Sequence, residues 1–227
     1  MSSSGARPAF YALGPGGWRD YVTLLHPPYT LWHLSYVAIG AALAPHVKWG
    51  LLGWTTLAFF LAMGIGAHAL DELNGRPLRT QIPGLVLWSL AAVSIAIACA
   101  IGLVVAARTS WWLAAFVAAG ALIVVAYNLE LFGGAFHSNL WFASAWGAFP
   151  VLTAYFASAR ELRGAAIVAA LFALLVSLAQ RTLSTEVRLA RRRLGDPAAA
   201  QTAEVALKLL SAALPILAGA LLLARSG

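Results

Sequence analysis

Residues 84–106 read GLVLWSLAAVSIAIACAIGLVVA, an apolar run without a charged side chain. About 20 mostly apolar residues suffice for an α-helix to cross the hydrocarbon core of a bilayer. A buried strand would end far sooner, and a surface helix of this length would carry a polar stripe. The stretch therefore predicts a membrane-spanning helix. Similar runs lie at about 29–45, 50–73, 110–129, 139–158, 163–182 and 204–223, so that seven spans are expected in all. The segments between them carry Pro, Gly or charge: APHVKWG, NGRPLRTQIPG, ARTS, ELFGGAFHSN, SARELRG and EVRLARRRLGDPAAAQ. These residues punctuate helices.

Composition points the same way. The chain is 61% hydrophobic and 10% charged, with a mean hydropathy of +0.81, whereas a soluble domain carries about 25% charged residues. The expected class is an all-α polytopic membrane bundle. An open sheet would leave backbone polar groups unpaired in lipid, and the alternation of a membrane barrel is absent. The net charge of +7 and pI near 10.2 do not call for nucleic acid, because the basic residues flank the apolar runs and fit lipid headgroups. Cys99 is the sole cysteine, which excludes an intramolecular disulfide. Residues 1–21 contain no apolar core and are expected to form a loose cytoplasmic tail, with 22–227 forming one transmembrane domain.

The loop charges set the expected topology. With the N-terminus in the cytoplasm and the C-terminus outside, ten of the 15 Lys and Arg residues fall on the inner side of a plasma (inner) membrane. The acids divide more sharply: only Glu161 lies outside, while Asp20, Asp71, Glu72, Glu130, Glu186, Asp196 and Glu204 lie inside. Acids contribute little to topology, so their clustering needs another cause. The loops after spans two, four and six share that inner face.

Three stretches supply the candidate site. In AMGIGAHALDELNGRPLRTQIPG, residues 62–84, His68 and Glu72 are i,i+4 neighbours, as are Glu72 and Arg76. Carboxylates at a helix C-terminus face the negative end of the macrodipole, so Asp71 and Glu72 together suggest a bound cation. The plainer alternative pairs Glu72 with Arg76 and leaves Asp71 to water. In AYNLELFGGAFHSNLWFASAWGAFP, residues 126–150, Tyr127 and Asn128 end span four, with His137 and Asn139 in the loop beyond. Tyr127 is either a ligand contact or an interfacial anchor. In SLAQRTLSTEVRLARRRLGD, residues 177–196, Gln180, Ser184, Arg188 and Arg191 share one helical stripe, and Arg181, Thr185 and Arg188 an adjacent one. Arg181 suits a phosphate oxygen or neutralises Asp71 or Glu72. Arg191, Arg192 and Arg193 read as a positive-inside stop, while His26 and His33 are hydrogen-bonding residues at the same face.

The order of these motifs resembles the UbiA family of intramembrane prenyltransferases over roughly residues 22–200. HPPYTLWHLSYVAIGAALAP is similar to that family's opening helix. HALDELNGRPLR is similar to its first Asp-rich motif with the Arg-containing loop that follows, Asp71 standing on the central Asp and His68 replacing another. The segment from Tyr127 resembles its Tyr-Ser segment and the Gly- and Pro-bearing helix after it. Where the second Asp-rich motif would lie, the chain has Ser184 and Arg188, with Glu186 off-register. The resemblance implies a helical bundle with a central cavity, an isoprenoid diphosphate substrate and Mg²⁺, one ion or none in view of the missing acids. It implies catalytic roles for Asp71, Glu72 and His68, with Asp71 and Glu72 as metal ligands. Arg76, Arg79, Tyr127, Asn128, Gln180, Arg181 and Glu186 would bind substrate. Two readings compete: a lipid-binding or assembly protein that kept the bundle without the chemistry, and a transition-metal site on His68, Asp71 or Glu72, and His137.

Overall fold

A computed structural model describes residues 7–194 and 198–226. Asp196 lies outside the described residues, as do the side chains of Arg192 and Arg193 and the first six positions of the expected tail. The described chain is all-helical: α1 (Trp18–Leu24), α2 (Pro27–Leu43), α3 (Trp49–Leu73), α4 (Gly84–Arg108), α5 (Leu113–Asn128), α6 (Asn139–Ala159), α7 (Gly164–Arg188) and α8 (Gln201–Leu223). Five of these, α3, α4, α6, α7 and α8, are long and apolar enough to cross a membrane. The other two expected spans are helices as well but shorter, α2 with 17 residues and α5 with 16.

The short α2 is the centre of the bundle. Trp32, Tyr36 and Val37 are fully buried. They meet α6, α7 and α8 through Val151, Ala170, Ala173 and Leu214. Its enclosed polar groups are paired internally: Trp32 Nε1–H donates to the Tyr36 hydroxyl at 2.8 Å, and Ser177 Oγ–H from α7 does so at 3.2 Å. Such pairing is what burial of polar groups demands. Two glycines set the closest helix approaches. A Cβ on Gly40 of α2 would lie within van der Waals overlap of the Val151 carbonyl in α6, and one on Gly147 of α6 would sit 2.6 Å from the Ala173 carbonyl of α7. The outward surface carries Leu85, Trp112, Val168, Ile216 and Leu223, all more than two-thirds exposed. Such an apolar outer surface is compatible with a helical bundle in lipid.

Helices α3 and α6 each contain a π-helical segment, Phe60–Ala67 and Ser144–Ala148. Such widened turns arise where the i→i+4 ladder is offset by an extra residue. Here they turn Met63 and Trp146 toward the interior.

The N-terminal segment differs from the loose tail expected. Asp20 is buried and accepts the Gly16 N–H at 2.9 Å and the Gln81 N–H at 2.7 Å. The Leu13 N–H reaches Thr23 Oγ1, and Ala12 is buried. Residues 8–24 are therefore strapped across the ends of α2 and α3.

Candidate functional site

The ends of α3, α5 and α7 meet beside the start of α2 around a cavity of about 410 Å³, within the range of small-molecule sites. Its lining includes His68 and Asp71 from α3, Tyr127 and Asn128 from α5, and Gln180, Arg181, Ser184 and Arg188 from α7. The start of α2 contributes His26, Tyr29 and His33, and Phe10 and Tyr11 of the N-terminal segment cover one side. Of the two stripes expected on α7, Gln180, Arg181, Ser184 and Arg188 line the pocket, because positions four apart superpose along a helix. Thr185 and Arg191 do not, and Arg191 pairs with Glu204 instead.

The two adjacent carboxylates of α3 have opposite fates. Glu72 is fully buried and lies outside the cavity lining. Its Oε2 accepts the Leu78 N–H at 2.9 Å, and its Oε1 accepts both the N–H and the hydroxyl of Thr80 at 2.8 Å. This carboxylate organises the loop rather than facing the cavity in its expected role as catalyst and metal ligand: three hydrogen bonds already engage its two oxygens. Asp71, one position and about 100° further round the helix, faces the cavity. No hydrogen bond or ion pair engages its side chain among the described residues.

The loop arginines are also corrected. Arg76 points inward along the loop, its guanidinium donating to the carbonyls of Ile82 at 2.6 Å and Thr80 at 3.3 Å. Its expected pairing with Glu72 is absent among the described residues. Arg79 is exposed and outside the cavity lining, and both arginines sit at positive φ in the tight turn. Glu186 is likewise exposed and outside the pocket, as its off-register position on α7 dictates.

Arg181 keeps its place. Its Nε–H donates to Asn139 Oδ1 at 3.3 Å, an Nη–H points to His137 Nε2 at 3.5 Å, and its guanidinium lies 5.3 Å from the centre of the Phe142 ring. His137 in turn stacks on Tyr127 with ring centres 4.6 Å apart. Gln180 Oε1 and the Tyr127 hydroxyl are buried without a hydrogen-bond partner among the described residues. Buried polar atoms are almost always paired with protein or ordered water, which sets these two apart on the cavity wall. Asn128 is turned to structure, donating to the Val124 carbonyl.

Three cavity histidines share one constraint. The ring Nδ1 atoms of His33, His68 and His137 lie 2.8, 3.0 and 3.1 Å from the carbonyl oxygens of Trp146, Gly64 and Tyr127. A carbonyl only accepts, so each Nδ1 carries a proton, and in the neutral form of such a ring the lone pair lies at Nε2. Two of those carbonyls belong to the π-helical segments of α3 and α6. His26 stacks on His68 with centres 4.0 Å apart and receives Tyr11 at its Nδ1. The sequence reading gave His26 and His33 no site role, and it passed over Tyr11 and Tyr29. Nothing in local spacing signals that residues so far along the chain from α3 cover the same pocket.

Among the described residues, no group of three or more His, Cys, Asp or Glu is arranged to hold a metal ion. No family model matches the chain, and neither the curated proteins nor the solved structures give a match.

Proposed function

We propose that the chain is a multi-pass membrane enzyme of UbiA-like design that binds an isoprenoid diphosphate in this cavity and transfers or releases its prenyl chain. The observation that carries the reading is that Asp71 of α3 and Gln180 and Arg181 of α7 line one cavity with a polar, basic side and an aromatic floor of Phe142 and Trp146. In this reading α2 to α8 all span an inner (plasma) membrane, and the cavity opens toward the cytoplasm.

Arg181 and Arg188 offer planar guanidinium donors that suit diphosphate oxygens. Gln180 and the Tyr127 hydroxyl orient the same head. The bond that breaks joins the allylic carbon to the diphosphate oxygen, and the electron pair leaves with diphosphate. An acceptor's electron pair then forms the new bond to that carbon, and a proton is lost. His68 Nε2, held as a lone pair by the bond to Gly64, accepts the proton. Phe142, Trp146 and Tyr127 favour the cationic carbon over their ring faces. The family likeness implies Mg²⁺. One ion fits a donor set in which Asp71 is the single free carboxylate of α3, since Mg²⁺ is commonly held by one or two carboxylates plus substrate phosphates; a two-ion cluster does not fit. Bound there, Mg²⁺ supplies charge neutralisation of the leaving diphosphate.

The test is pyrophosphate release by the purified chain from a panel of prenyl diphosphates with Mg²⁺, compared with Asp71→Asn. Release that is lost in the variant supports the reading, and none in either defeats it. A second reading, binding without turnover, is favoured by Ser184 and Arg188 in place of acids on α7. It is recognised by lipid that co-purifies and is not consumed.

A further inference from the structure

One wall of the polar cavity is a short irregular segment. Pro8, Ala9, Phe10 and Tyr11 border the cavity, and residues 8–17 form no helix. The segment lies on the bundle through its rings. Phe10 and Tyr11 meet Tyr29 of α2 edge-on, with ring centres 6.1 and 5.4 Å apart. The Tyr11 hydroxyl lies 2.9 Å from His26 Nδ1, and the Lys208 ammonium of α8 lies 5.3 Å from the centre of the Phe10 ring. Between this wall and α1 runs Gly14-Pro15-Gly16-Gly17. Gly16 and Gly17 hold φ of +106° and +60°, which residues with a Cβ adopt only at a cost. A Cβ on Gly17 would meet nothing within 4 Å, so backbone conformation rather than space calls for glycine there. Asp20 fixes the base of this run: its Oδ1 accepts the Gly16 N–H, and its Oδ2 accepts the Gln81 N–H of the loop between α3 and α4.

We propose that residues 8–13 are a lid over the polar cavity. The lid swings about Gly14–Gly17, Asp20 is the latch that seats the hinge on the bundle, and the entrance from water lies beneath Phe10 and Tyr11. The inference is independent of which polar ligand the cavity takes. The helical walls around the cavity belong to elements packed through the hydrophobic core, such as Leu70, Tyr127 and Trp146, so opening the cavity between them would break core contacts. Lifting the segment breaks ring-edge contacts and single hydrogen bonds, the class of structure that opens at low free energy. Lids commonly turn on a few loop residues that absorb the change in φ and ψ, and three glycines in four positions supply that freedom here. The buried Gln180 Oε1 and Tyr127 hydroxyl lie on the cavity wall, and a water-borne group reaches them once the lid is raised.

The experiment reads access directly, with a negatively charged, membrane-impermeant methanethiosulfonate on the purified full chain carrying Cys99→Ala. Ser184→Cys places a thiol on the cavity lining, and Glu186→Cys places one on an exposed part of α7 outside it. With the latch intact, Ser184→Cys should react at least about tenfold more slowly than Glu186→Cys. Adding Asp20→Ala removes two hydrogen bonds of ordinary strength and should speed reaction at Ser184→Cys by about tenfold, leaving Glu186→Cys within about twofold. Phe10→Ala combined with Tyr11→Ala, which keeps the latch and strips the lid of its rings, should act in the same direction. An unchanged rate at Ser184→Cys in both variants, whether fast or slow, overturns the lid. An equal rise at both thiols also overturns it, since that reports a loosened α7. Pyrophosphate added to the opened Asp20→Ala protein separates the two readings. Protection of Ser184→Cys supports the diphosphate head site, whereas a raised rate without protection counts against that site and leaves the lid standing.

Discussion

The carboxylate of Glu72 accepts hydrogen bonds from both the backbone N–H and the hydroxyl of Thr80, each at 2.8 Å. With the Leu78 N–H added, the side chain closes the loop after α3 by accepting from backbone donors of the loop that would otherwise be buried unpaired. Replacing Glu72 with Ala leaves two buried backbone donors unpaired, at about 1–3 kcal/mol each. We expect Glu72→Ala to lower the unfolding midpoint in detergent and to speed amide exchange at Leu78 and Thr80. Thr80→Val, which removes one hydroxyl bond, should cost about 1 kcal/mol. If Glu72→Ala keeps wild-type stability and exchange, the loop role is wrong.

Asp71 should behave in the opposite way. No hydrogen bond or ion pair engages its side chain among the described residues, so Asp71→Asn should leave thermal stability within about 0.5 kcal/mol of wild type. Pyrophosphate release should fall by about 100-fold or more if the carboxylate assists departure of the diphosphate, a loss of about 2.7 kcal/mol of barrier lowering. Measuring midpoint and rate on the same preparations separates the two neighbours. A shared loss of stability in both variants would place Asp71 with Glu72 as a structural group.

Arg181 is oriented at the cavity by Asn139, His137 and the Phe142 ring. Charge-assisted hydrogen bonds are worth about 1.5–3 kcal/mol, so Arg181→Ala should weaken pyrophosphate binding by about 10- to 100-fold. Arg181→Lys should recover only part of this, because an ammonium cannot reproduce the planar fork or the ring contact. Arg79→Ala, on an exposed residue outside the pocket, should change binding by less than about twofold. Calorimetric titration with pyrophosphate checks all three.

These contrasts show how much the sequence carries. Apolar runs locate every long helix, because the helical path in lipid leaves the backbone no alternative. Helical spacing also places Gln180, Arg181, Ser184 and Arg188 on one side of α7. What spacing cannot supply is the choice between adjacent acids. Asp71 and Glu72 differ by one step, and only the path of the loop through Leu78 and Thr80 decides which is consumed. The same loop draws Arg76 onto its own carbonyls. The π-helical turns that aim Met63 and Trp146 are equally silent in sequence, since Gly64, Gly66 and Gly147 read simply as small residues at helix contacts. Long-range closure, such as Tyr11 over His26, depends on contacts that no local pattern encodes.

Gly40 tests the packing that places the site. A methyl group there would overlap the Val151 carbonyl, a backbone atom that cannot swing aside. Overpacking of this kind costs about 1–3 kcal/mol or more. Gly40→Ala should therefore lower the unfolding midpoint more than Gly53→Ala, where nothing lies within 4 Å. Equal midpoints would mean that α2 and α6 do not approach as closely as described.

Asp20 tests whether the N-terminal segment is part of the cavity wall. Its two oxygens hold the Gly16 N–H on one side and the Gln81 N–H on the other, so a single carboxylate ties α1 to the loop that Glu72 shapes. Phe10 and Tyr11 follow from that tie: they border the pocket, and Tyr11 reaches His26 at 2.9 Å. Asp20→Ala removes two part-buried hydrogen bonds, about 0.5–1.5 kcal/mol each, an energy comparable to what a short segment gains by docking. The segment should then detach while the long helices persist. Limited proteolysis should cut the variant between residues 7 and 17 much faster than the wild type, at unchanged helical content by circular dichroism. Tyr11→Phe, which removes only the hydroxyl, should leave the cleavage rate near wild type. Cleavage at equal rates in wild type and Asp20→Ala would show that the segment does not depend on this carboxylate, and the strap would have to be held by the aromatic contacts of Phe10 and Tyr11 with Tyr29 instead.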